Sequence, residues 1–79
     1  MRAHILITVL PKKMPAVVKA LQGIEAVRTL HSVSGLHDLV AMAAVDGVAA
    51  MDELTDAIGA IDGVERTTTA VILGTKFER

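Results

Sequence analysis

The chain has 79 residues, 52% of them hydrophobic and 1% aromatic, with 8 basic and 9 acidic side chains and a formal net charge of -1. A chain of this length holds one core, and its even charge lacks the basic footprint needed for direct nucleic-acid binding. With no cysteine there is no disulfide scaffold, no iron–sulfur ligation by Cys and no thiol catalysis.

The apolar run that follows Met1, Arg2, Ala3 and His4 is too brief for a signal peptide or a membrane span, so the expectation is a cytoplasmic protein with no membrane partner. That run, residues 5–10, is β-branched and apolar except for Thr8, and Pro11 closes it. It predicts a strand buried on both faces. Pro15 suits the first turn of a helix, Val17, Val18 and Leu21 follow at helical spacing, and Gly23 ends it.

Residues 25–34 alternate, with Val27, Thr29, His31 and Val33 on one side and Arg28, Leu30 and Ser32 on the other, as in a half-polar strand. After a turn at Gly35, residues 38–45 are apolar in both alternating sets and predict a second doubly buried strand. Val48, Met51, Leu54, Ile58 and Ile61 then form a helical stripe with Asp52, Glu53 and Asp56 turned outward. Asp62 and Gly63 stop that helix, and a last strand is expected over residues 64–77.

The order β-α-β-β-α-β, with right-handed crossovers, gives an α+β sandwich: a four-stranded antiparallel sheet with two helices on one face. The apolar first and third strands belong in the centre, and the more polar second and fourth belong at the edges. Two helices cover one face only, yet the central strands are apolar toward both. Leaving such side chains wet forgoes roughly 1.5 to 3 kcal/mol each, so the second face predicts sheet-to-sheet self-association.

Candidate chemistry is sparse. His4, His31 and His37 have no recognised metal-ligand spacing, and a hydrogen-bonded structural histidine is the simpler reading of His4 and His31. Asp38 opens an apolar strand directly after the Gly35 turn, where capping its own loop is the plain reading. Thr67, Thr68 and Thr69 fit β-propensity, and none has an adjacent base that would make it a nucleophile. The six glycines fall singly at element ends, so no phosphate loop is present. The expectation is no catalytic set, no metal and no cofactor.

The stretch Val33-Ser34-Gly35-Leu36-His37-Asp38-Leu39-Val40 resembles the signature of the Lrp/AsnC effector domain, also called the RAM module. The block from Ile61-Asp62-Gly63-Val64-Glu65-Arg66-Thr67-Thr68-Thr69 to Leu73 is similar to that family's ending, and Glu25-Ala26-Val27 to its strand entry. The resemblance spans essentially the whole chain. It implies a ferredoxin-like fold, dimers formed through the sheets, assembly into octameric rings and an amino-acid effector bound between dimers.

Carried over by position, the resemblance places the effector site on Gly35, Leu36, His37 and Asp38, with Thr67 and Thr69 from the last strand. Backbone N–H groups at the turn would take a carboxylate, Asp38 an ammonium, and the Thr hydroxyls either. His37 stands where the family usually has an aromatic residue, and Asp62 where it often has Pro. Residues 1–79 are then a single effector-binding domain without a helix-turn-helix, modulating transcription with a full-length regulator of the family. Two alternatives stand beside it: a small dimeric isomerase or monooxygenase with His37 or His31 as base, and a purely structural oligomerisation module.

Overall fold

A computed structural model describes all 79 residues. Its elements run β1 (Arg2–Val9), α1 (Met14–Gln22), β2 (Val27–Ser32), β3 (Leu39–Ala44), α2 (Val48–Gly59) and β4 (Val64–Val71). The strands pair antiparallel in the order β2-β3-β1-β4, so the two most apolar strands are the central ones. This is the α+β, ferredoxin-like arrangement expected from the sequence.

Cross-strand register explains why the core lies on one side of the sheet. Ala3 pairs with Ala43, Ile5 with Ala41 and Ile7 with Leu39, and all six side chains point to one face. There they join Val17 and Leu21 of α1 and Met51, Leu54 and Ile58 of α2 in one buried cluster, so both helices cover that face. Full burial of Ile5, Ile7, Leu21, Leu39 and Ile58 contributes roughly 1.5 to 3 kcal/mol for each side chain. The alternate set, Leu6, Val40 and Met42, is half-buried, with Ala44 and Ala70 exposed, on a face that no element of the chain covers.

Several element ends differ from expectation. The first strand starts at Arg2, not at residue 5, because Arg2, Ala3 and His4 pair with Ala44, Ala43 and Met42 of β3. The last strand stops at Val71, not at residue 77, because its antiparallel partner β1 begins at Arg2; after Ile72 donates to the Arg2 carbonyl, no strand remains to pair with. Leu73 and Phe77 beyond it are 97% and 72% exposed. The second strand begins at Val27, because residues 24–27 are held in a turn closed by the Val27 N–H on the Ile24 carbonyl. The second helix ends at Gly59, and its first stripe residue, Val48, is 73% exposed because it occupies the opening turn, ahead of the part that lies on the sheet.

Two glycines are required by geometry. Gly63 has φ 100°, and a Cβ there would stand 2.6 Å from Lys13 Cβ and 2.9 Å from Val17 Cγ2. Its carbonyl accepts from the Leu10 N–H at 2.8 Å, which fastens the α2–β4 turn to the end of β1. Gly35 has φ 103° but open space around it, so only its backbone conformation demands glycine.

Candidate functional site

The loop between β2 and β3 is the one segment of the sequence where a glycine turn, a histidine and a carboxylate fall together, and the fold fastens it at both ends. The Val33 N–H donates to the Asp38 carbonyl at 3.1 Å, closing the loop on itself. The Asp38 N–H donates to the Ile7 carbonyl at 2.9 Å, which carries the β3–β1 ladder one residue beyond Leu39. Asp38 Oδ2 then accepts from the Val9 N–H at 2.7 Å. Asp38 therefore caps the end of β1 and not its own loop, so the plain reading of a turn-stabilising Asp holds in kind but with a different donor.

This anchoring shapes what the loop can offer. One oxygen of Asp38 is committed to β1, while Oδ1 has no hydrogen-bond partner in the chain. Between the fixed ends, Ser34, Gly35 and Leu36 are exposed, Leu36 at 91%, whereas His37 and Asp38 are half-buried. A short loop with fixed ends, a carboxylate with a spare oxygen and unpaired backbone N–H groups at a positive-φ glycine can receive a small molecule carrying charges of both signs.

The two threonines of the expected set lie elsewhere in the protomer. Thr67 pairs with Ile7 and Thr69 with Ile5, so both sit on the helix-covered face and are half-buried, while Thr68 between them is exposed on the open face. Thr67 is level with Leu39 on the far side of β1, with Thr69 one pleat further along, whereas Asp38, one residue before Leu39, belongs to the opposite face of the sheet. A single chain thus brings Gly35, Leu36, His37 and Asp38 together and leaves Thr67 and Thr69 apart from them.

Thr8 is a neighbour that the sequence reading passed over. It follows Ile7 on β1, next to the Asp38 anchor, and its Oγ1 is buried without a hydrogen-bond partner. Its signal was present as the one polar break in an otherwise apolar strand. His4 and His31, expected to be hydrogen-bonded structural residues, make no side-chain hydrogen bond; both are exposed on the open face, where they line a groove of about 310 Å³ with Thr29, Val40 and Met42. No group of three His, Cys, Asp or Glu side chains is placed to hold a metal ion.

Comparison with known proteins places this geometry. Among solved structures, TTHA0845 from Thermus thermophilus superimposes with a TM-score of 0.89 at 30% identity, covering 99% of this chain and 98% of that one. The feast or famine regulatory protein of M. tuberculosis, complexed with L-methionine, gives 0.79 at 31% identity, covering 98% of this chain and 52% of that one. E. coli AsnC gives 0.90 at 20% identity, a likeness of fold, covering 99% of this chain and 54% of that one. The chain thus matches nearly all of the first structure and about half the length of the two regulators. No curated protein matches it. The family model for the Lrp/AsnC ligand binding domain matches residues 2–79, which spans every strand and helix described above together with the anchored loop, and on that match the chain belongs to the Lrp/AsnC ligand-binding domain family.

Proposed function

We propose that residues 1–79 form an amino-acid-binding and oligomerisation domain that modulates transcription in the cytoplasm through a full-length Lrp/AsnC regulator. The observation that carries this reading is the loop of residues 34–38, pinned to β1 through Asp38 with one carboxylate oxygen left over. Gly35, Leu36, His37 and Asp38 take the effector, its ammonium on Asp38 Oδ1 and its carboxylate on loop N–H groups. Thr67 and Thr69, apart from this loop within a protomer, contribute from a neighbouring copy.

Assembly follows from the open sheet face. Leu6, Val40 and Met42 form an apolar band across the two central strands, and pairing two such faces removes it from water at roughly 25 cal/mol per Å². The dimer is proposed to form there, and dimers to associate further into a ring. The M. tuberculosis regulator, 31% identical, is complexed with L-methionine, which makes methionine the first ligand to try.

The enzymatic alternative calls for an apolar chamber inside the protomer with a histidine base in it. Eleven buried side chains fill that interior, and His31 lies on the outer sheet face, so the arrangement disfavours it. A purely structural module predicts the same assembly with no ligand response. Thermal shift against the standard amino acids separates the two: a ligand at 100 times its Kd adds about 2.7 kcal/mol, a rise on the order of 10 °C for a domain of this size. No shift with any amino acid, at millimolar concentration, overturns the sensor reading in favour of the structural one.

A further inference from the structure

The open sheet face carries titratable groups that neither effector binding nor hydrophobic assembly explains. His4 lies on β1 between Met42 of β3 and Ala70 of β4, and His31 lies on β2 beside Val40. Both line one groove together with Thr29, Val40 and Met42. The two imidazoles thus border the same apolar band that the proposed dimer contact would cover.

The other charged groups on that face are mostly of one sign. Arg2 shares the His4 side of β1, and Arg66, paired with Thr8, shares that side of β4. Asp38 is the carboxylate of the same alternation on β3, and it is drawn back onto the Val9 N–H. Arg28, at the β2 irregularity, turns away to the Glu25 carbonyl, and Glu65 is the extra residue of the β4 bulge. The C-terminal tail meets Arg2 through Thr75 and carries Lys76, Glu78 and Arg79. No carboxylate on the face is paired with either histidine.

We propose that the sheet-to-sheet contact is a pH-sensitive one, stable while His4 and His31 are neutral and released when they take up protons. The proposal rests on the dimer reading given above and adds its regulation. An imidazolium enclosed between two apolar sheets loses its hydration and meets Arg2 and Arg66 of like charge, while the one carboxylate of that face, Asp38, makes no ion pair with either histidine and is held on the Val9 N–H. The dimer therefore binds fewer protons than two separate chains. By linkage it is strongest at higher pH and weakens as falling pH makes protons available to the imidazoles.

The size of the effect follows from proton counting. Between pH 7.5 and 5.5, each imidazole that must be neutral in the dimer weakens association about tenfold, so four per dimer set a ceiling on the order of 10⁴. A shift of at least ~100-fold, from two of the four, is expected.

The experiment is sedimentation equilibrium of the full chain at pH 7.5 and 5.5, with far-UV circular dichroism at both, on the wild type and on the double variant His4→Gln, His31→Gln. Support is a dimer at pH 7.5, dissociation at least ~100-fold easier at pH 5.5 with the fold retained, and a double variant that stays dimeric at both. A wild-type dimer equally tight at both pH values overturns the switch and leaves the dimer standing. An equal pH response in the double variant, or unfolding at pH 5.5 in both proteins, also overturns it. A monomer at both pH values overturns the dimer reading itself, and the switch with it.

Discussion

Replacing Asp38 separates its role in the fold from its proposed role in the site. The 2.7 Å contact from the Val9 N–H to Oδ2 is a part-buried, charge-assisted hydrogen bond, a type that contributes about 1.5 to 3 kcal/mol. Asp38→Ala strands the Val9 N–H and should lose that amount, lowering Tm by roughly 6 to 24 °C for a domain of this size. Asp38→Asn keeps a neutral acceptor and should lose only ~1 kcal/mol. Both remove the charge that would hold an ammonium. Thermal unfolding at fixed protein concentration, followed by calorimetry with whichever amino acid shifts the wild type, tests both roles. The asparagine variant is expected to stay folded and to bind at least tenfold more weakly. An alanine variant as stable as the wild type would refute the cap, and an asparagine variant with undiminished affinity would refute the ammonium site.

Other positions give independent checks. Gly63→Ala combines a strained φ with a Cβ 2.6 Å from Lys13 Cβ, and should cost about 2 to 5 kcal/mol. Gly35→Ala meets open space and should cost only the conformational strain, about 1 to 2 kcal/mol; equal losses in chemical denaturation would show that the Gly63 contact is unimportant. Met42→Lys places a charge at the centre of the open face and should weaken the dimer at least ~100-fold in sedimentation while leaving circular dichroism unchanged. Thr67→Asp, on the helix-covered face, should destabilise the fold by ~1 to 3 kcal/mol, whereas Thr68→Asp, on the open face, should leave monomer stability within ~0.5 kcal/mol. Reversed unfolding results would contradict the assigned register.

Much of this was legible in the sequence. The segments 38–45 and 5–10 marked the central strands, because both are apolar in both alternating sets, whereas the second and fourth strands carry the polar residues expected at sheet edges. Four things needed coordinates. The end of β4 depends on where β1 begins, and no local signal in Leu73 or Phe77 reports that. Asp38 bonds Val9, twenty-nine positions away, whereas turn chemistry suggests a partner within its own loop. The threonine run shows from its alternation that Thr68 opposes Thr67 and Thr69, but only the pairing with Ile5 and Ile7 says which face is covered. Gly63 read as a helix stop, and its closeness to Lys13 and Val17 is a tertiary contact with no local trace.

The most direct test of the central claim is a crystal structure of the assembled oligomer grown with the amino acid that most raises the melting temperature. That amino acid is expected at the loop of residues 34–38, its ammonium on Asp38 and its carboxylate on loop N–H groups, with Thr67 or Thr69 supplied by a neighbouring copy. An amino acid bound elsewhere, with the loop and Asp38 untouched, would contradict it.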